Sequence, residues 1–191
     1  EMDYCDWSSD VCSSDLLRDH VGFDKVRERV KVPLNGLKVA TYYGCTLVRP
    51  GNVAIEPPAD RKLMAEFLEA IWASPVDFAD ATTCCGSYQV LANPDAALDV
   101  AARILESATR AGAEAVVLSC PLCEYSLARK QDELLQKNKI SKDVPVFYFT
   151  QLLAAALGLG SEACRFDLSP RCSVELLKSK NYPIDAAVVG V

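Results

Sequence analysis

Between residues 37 and 158, four short β-rich runs alternate with four amphipathic helical patterns, and few folds accommodate that order. The run LKVATYY at 37–43 follows the turn signal Asn35-Gly36 and is rich in β-branched and aromatic residues, as a strand requires. Residues 60–73 place Leu63, Met64, Phe67, Leu68, Ile71 and Trp72 on one face, which predicts a helix turned to the core. A second short strand is expected at 76–78. Asn93 and Pro94 then supply an N-cap and a first-turn residue. Ala97, Ala101, Ile104, Leu105 and Ala108 continue at helical spacing until Gly112 ends the helix. EAVVLS at 114–119 predicts a buried strand, 124–137 a helix, and VPVFYF at 144–149 a further strand. Thr150 is expected to cap a last helix that stops at Gly158. Alternation of this kind predicts an α/β fold with a largely parallel sheet and flanking helices.

In such sheets ligands gather at the carboxyl ends of the strands. Cys45 follows the first strand, Cys84 and Cys85 the second, and Cys120 and Cys123 the third. Three loops far apart in sequence are thus expected to bring five thiols to one sheet edge. A structural zinc takes four ligands, and so does a cubane iron–sulfur cluster. Five is one more than either needs. Adjacent cysteines have diverging side chains, so both serve best where irons are spread apart or where one sulfur bridges two irons. Gly86 lets the backbone turn tightly enough to present the pair. Pro121 withholds one backbone donor, while the amides around it are free to donate to cluster sulfurs.

Residues 1–16 stand apart, with neither period nor apolar face. The stretch CDWSSDVCSSDL at 5–16 reads as a translated sequencing adapter, so 1–16 are expected to be disordered, with no role for Cys5 or Cys12. That segment holds five acids (Glu1, Asp3, Asp6, Asp10 and Asp15) and no Lys or Arg. Setting them aside leaves 21 acidic residues against 20 basic ones, a net charge of −1 in place of −6. No charge bias then points to nucleic acid or to an anionic membrane. Nine cysteines become seven, Cys164 and Cys172 completing the set. An odd number without an export signal favours metal or redox use over a disulfide framework, and a cytoplasmic setting. No apolar run reaches the roughly 18 residues of a membrane span.

The spacing now carries a resemblance. Cys45, then 38 intervening residues, Cys84-Cys85-Gly86, 33 more and Cys120-x-x-Cys123 resemble the cysteine-rich CCG domain found in the B subunit of heterodisulfide reductase. YYGCTLVRP at 42–50 and CPLC at 120–123 resemble the second of the two tandem domains in that family. The resemblance implies that Cys45, Cys84, Cys85, Cys120 and Cys123 hold a noncubane [4Fe-4S] cluster. It further implies reductive cleavage of a disulfide substrate, such as the coenzyme M–coenzyme B heterodisulfide. The implied partners are an N-terminal CCG domain, a flavin and iron–sulfur electron-donor subunit, and a ferredoxin-like subunit. On this reading 17–36 are a helical or linker remnant of an upstream region, 37–160 the iron–sulfur domain and 161–191 an irregular tail. Because only one such domain is present, the chain reads as a fragment expected to be inactive alone.

Two other classes stay open: an electron-relay module of a glycolate, lactate or quinone-linked dehydrogenase, and a zinc-stabilised assembly domain. Buried free thiols are the plain alternative for the five cysteines. Cys164 and Cys172 lie outside the motif and read as non-ligands. His20, the single histidine, sits in a polar leader and has no second histidine to act with. Arg49, four residues after Cys45, is suited either to an anionic substrate or cluster or to a surface ion pair. Tyr42 and Tyr43 read as strand core. No Ser-His-Asp set can be assembled, and no glycine-rich phosphate loop follows a strand.

Overall fold

A computed structural model describes residues 16–52 and 54–182. The expectations for 1–15, including Cys5 and Cys12, and for 183–191 lie outside the described residues. The chain enters through a π turn at Leu16–Val21 and helix α1 at Phe23–Arg29. Strand β1 (Lys38–Thr41), helix α2 (Leu63–Ala70) and strand β2 (Ser74–Val76) follow. Next come helix α3 (Pro94–Arg110), strand β3 (Ala115–Leu118), helix α4 (Pro121–Glu124), a π turn at Tyr125–Arg129 and helix α5 (Gln131–Gln136). Strand β4 (Val146–Tyr148), helix α6 (Phe149–Ala156), the single turn α7 (Ser161–Cys164) and helix α8 (Arg171–Ser179) complete the described chain.

The four strands form one parallel sheet in the order β2-β1-β3-β4. In parallel register their carboxyl ends, at Thr41, Val76, Leu118 and Tyr148, share one edge. From β1 the chain steps outward to β2 and then returns past β1 to β3. The sheet therefore switches direction between β1 and β3, which is where crevices form in open α/β sheets. The strand period sorts side chains to two faces. Val39, Val117 and Phe147 join one apolar cluster with residues of α1, α2, α6 and α8. Ala40, Val116, Leu118 and Val146 join the other with α3 and the segment 127–140. All four residues of β3 are fully buried, as a strand covered on both faces demands.

Asn93 caps α3, its side chain accepting from the Ala96 amide at 3.1 Å, and Pro94 opens the helix. Gly112 at φ +88 ends it. Other boundaries differ from expectation. The second strand is Ser74–Val76, two residues earlier than expected. Trp72, expected on the core face of α2, lies past the helix end at φ +64 and is 51% exposed. The left-handed step swings its side chain away from the row formed by Leu63, Phe67 and Ile71. The helix expected at 124–137 starts earlier, at Pro121, and divides at Lys130, whose φ of −90 and ψ of 4 break the helical run. Thr150 lies inside the first turn of α6. The start of that helix is held by Gln151, whose Oε1 accepts from the Tyr148 amide at 3.0 Å.

Both flanking segments contribute to the core. Val26 and Leu34 are buried, and the Lys31 and Val32 amides both donate to Ala156 O at 2.9 Å. Residues 161–179, read in sequence as irregular, form two helices and a 3-10 turn. They bury Cys164, Phe166, Ser173 and Leu177. Each large apolar side chain buried this way stabilises by about 1.5–3 kcal/mol. Ser173 completes the outer edge of the sheet: its Oγ accepts from the Val146 amide and donates to Val146 O, both at 3.1 Å.

Candidate metal centre

The loops after β1, β2 and β3 meet over the strand ends. Past β1, the Tyr43 and Gly44 amides donate to Ala81 O at 2.8 and 3.1 Å, which ties the Cys45 loop to the loop after β2. Tyr42, 1% exposed, donates its hydroxyl to Thr83 O at 2.6 Å, beside Cys84. Asp80 steadies the same loop by accepting from Thr83 Oγ1 at 3.0 Å and pairing with Arg103 of α3 at 3.2 Å. Tyr43 Oη accepts from the Met64 amide at 3.1 Å at the start of α2. Both tyrosines thus serve as anchors in the core. Burial, first of all, pushes the Tyr42 hydroxyl far above its usual range and Tyr43 to about 12.

Two glycines make the approach possible. Gly86 turns the chain after Cys85 at φ +74, and a Cβ there would stand 3.3 Å from the Ala97 Cα on α3. Gly44 has φ +62, and a Cβ on it would stand 3.2 Å from Cys123 Sγ. Both φ values lie where a side chain is strained.

The sulfurs meet as the strand ends imply. Cys45 Sγ and Cys84 Sγ lie 3.7 Å apart, on half-buried side chains. Cys123, 2% exposed, lies beside Cys120 and Cys85, and their influence, with burial behind it, pushes the Cys123 thiol far up. Cys120 is held down at about 5, by the neighbouring Cys123 side chain first and against burial, with help from the Cys123 and Leu122 amides and the Thr46 hydroxyl. Cys85 is lowered for the same leading reason, with the Ser87 amide and the nearness of the Ser126 hydroxyl assisting. Burial raises Cys84, and the Gly86 amide opposes it. Cys120 occupies the N-cap position of α4, without a side-chain capping bond, and the Leu122 and Cys123 amides lie near its sulfur. At Cys120 and Cys85, nearby N–H and O–H groups favour the thiolate state that metal ligation requires. Among the described residues, no three Cys, His, Asp or Glu side chains are already grouped to grip a single ion.

Thr46 and Ser126 were not singled out by sequence reasoning. Hydroxyl residues are common in loops and helices, and only their neighbours distinguish these two. Arg49 is exposed and forms no ion pair with a described residue. His20 is exposed on the Leu16–Val21 turn. Cys164, buried, donates to Leu159 O at 3.5 Å. Cys172, in the first turn of α8, lies near Asp143, before β4, and burial chiefly pushes its thiol to about 11. Neither takes part in the five-sulfur group. Leu122, Tyr125 and Tyr88, neighbours of the cysteines in sequence, are exposed.

Residues 39–128 match the family model described as a cysteine-rich domain, CCG. The chain is 31% identical over 137 residues to the 8-methylmenaquinol:fumarate reductase membrane anchor subunit of Wolinella succinogenes, covering 71% of this chain and 48% of that one. It is 29% identical over 184 residues to the B subunit of the ferredoxin:CoB-CoM heterodisulfide reductase of Methanosarcina mazei, covering 91% and 58%. The chain therefore spans about half the length of these curated relatives. A crystal structure of a hypothetical protein from Helicobacter pylori superposes with a TM-score of 0.58 at 14% identity, over 76% of this chain and 27% of that one. That likeness concerns the fold alone. No described helix is long and apolar enough to cross a membrane.

Proposed function

Since residues 39–128 belong to the cysteine-rich CCG domain family, we propose that this chain is the iron–sulfur module of a disulfide-reducing oxidoreductase of the heterodisulfide reductase type. Cys45, Cys84, Cys85, Cys120 and Cys123 are its ligands, and the group they hold is a noncubane [4Fe-4S] cluster. The observation that carries this reading is the convergence of five sulfurs from three loops on one sheet edge, with Cys45 and Cys84 in contact at 3.7 Å. When bound, such a cluster supplies one-electron steps to a substrate sulfur.

The residues of the chain prepare that site. The Ser87, Leu122 and Cys123 amides lie near ligand sulfurs and favour their deprotonated form. Gly44 leaves room for the Cys123 sulfur. The exposed Leu122 and Tyr125 offer an apolar rim suited to a second CCG domain, with the substrate disulfide held between the two. Arg49, exposed four residues after Cys45, is placed to meet an anionic group on that substrate. In the whole protein, a flavin and iron–sulfur subunit and a ferredoxin-like subunit are the electron-donating partners, and the compartment is the cytoplasm.

A second reading has its own support. One relative is a subunit of a menaquinol:fumarate reductase, which favours a module that relays electrons while a substrate reacts elsewhere.

Anaerobic reconstitution with iron and sulfide tests the proposal. Iron and acid-labile sulfide should bind together, with a paramagnetic signal that is lost when Cys45, Cys84, Cys85, Cys120 or Cys123 is replaced by Ser. Uptake of zinc without iron or sulfide would overturn the cluster reading. Disulfide reduction with a chemical electron donor separates reductase from relay: the chain alone should not turn over, and activity should appear once a partner CCG domain is added. Activity that fails to appear with the cluster and both domains present would favour the relay.

A further inference from the structure

Ser126 is 3% exposed, and its buried Oγ makes no hydrogen bond within normal limits. Folded proteins leave few buried hydroxyls without a partner, because the lost water is not replaced. A serine inside a regular helix commonly returns its hydroxyl to the carbonyl four residues earlier, here that of Leu122. At this point the chain widens into the π turn Tyr125–Arg129, a distortion frequent at functional sites. Leu122 O is engaged from another direction: Cys85 Sγ donates to it at 4.0 Å. Ser126 itself faces the Cys85 sulfur.

In this structure Leu122 O is taken by the Cys85 sulfur and the Ser126 hydroxyl, one turn on, is left without a partner. A sulfur bound to metal is an acceptor only, and the Ser126 hydroxyl is then the buried donor beside it. We propose that Ser126 is a positioning residue for the metal centre, donating a hydrogen bond to Cys85 Sγ when that sulfur is a ligand. The inference rests on the reading of Cys85 as a cluster ligand. The change needs only rotation of the hydroxyl. A hydrogen bond to a ligand sulfur disperses its negative charge and favours the reduced state, so it raises the reduction potential.

The test compares the wild-type chain with Ser126→Ala and Ser126→Thr, each reconstituted anaerobically with iron and sulfide. Circular dichroism checks the fold, and a potentiometric titration followed by electron paramagnetic resonance gives the midpoint. Ser126→Ala should bind the same amount of iron and show a more negative midpoint, while Ser126→Thr, which keeps the hydroxyl, returns it toward wild type. Ser126→Gly is a second variant without the donor and should move the midpoint in the same direction as Ala. Equal midpoints in wild type and the donor-free variants overturn the role of Ser126 alone. A threonine variant displaced as far as alanine does the same. A wild-type chain that takes up neither iron nor sulfide overturns the ligand reading, and this inference with it.

Discussion

Gly44 and Gly112 both sit at positive φ, +62 and +88, but only Gly44 is crowded. A Cβ on Gly112 meets nothing within 4 Å. Gly112→Ala should therefore cost only the left-handed backbone penalty, about 1–2 kcal/mol. On Gly44 the same atom would stand 3.2 Å from Cys123 Sγ and 3.4 Å from Tyr42 Cε1. Neither neighbour retreats easily, since both are buried and the Tyr42 hydroxyl is held by Thr83 O. Overpacking of this kind adds about 1–3 kcal/mol. Urea unfolding of the cluster-free variants reads the difference. With a slope of roughly 1–3 kcal/mol per molar urea, the Gly44→Ala midpoint should fall below that of Gly112→Ala by on the order of 1 M. Reconstitution supplies a second reading, because displaced sulfur lowers iron uptake in Gly44→Ala and leaves Gly112→Ala near wild type. Equal urea midpoints and equal iron content in the two variants would refute the claim that Gly44 is kept small for the Cys123 sulfur.

Ser173→Ala strips both hydrogen bonds from Val146, leaving a buried N–H and C=O unpaired. It should destabilise the chain by about 1–3 kcal/mol in thermal or urea melts, and a neutral effect would contradict the role assigned to α8. Burial pushes the Glu114 carboxyl up, but bonds from Lys180 and the Lys38 amide, with their charges, bring it below its ordinary 4.5. A carboxyl lowered by folding contributes stability above its unfolded pKa that is lost as pH falls through the folded value. Glu114→Gln should therefore flatten the acid limb of stability against pH below 4.5, whereas a limb like that of wild type would count against the pairing. Oxidised glutathione added to cluster-free protein should join the two sulfurs 3.7 Å apart, converting the Cys45 and Cys84 thiols to one disulfide as glutathione is reduced. Peptide mapping that finds Cys120–Cys123 or Cys84–Cys85 instead would show that the pairing is wrong.

Element type was legible because side-chain period follows backbone repeat. The runs around β1, β3 and β4 read as strands, and Asn93-Pro94 and Gly112 marked the ends of α3, since caps and left-handed stops act over a few residues. The meeting of the cysteine loops was legible for a related reason: parallel strands place their following loops on one edge, and the structure brings Cys45 to 3.7 Å from Cys84, and Cys85 to Leu122 O. Other features depended on surfaces distant in the chain. The charged stretch at 17–36 reads as solvated until Val26 and Leu34 meet α2 and α6, and residues 161–179 read as irregular until Ser173 reaches the open edge of β4. Trp72 belongs to an apolar row by count, yet one left-handed residue turns it to solvent. Which strand lies beside which, how near Cys45 stands to Cys84, and which serine faces a sulfur were decided by the packing of helices on both faces of the sheet. A local period cannot encode those distances, because each depends on two elements settling against a common core.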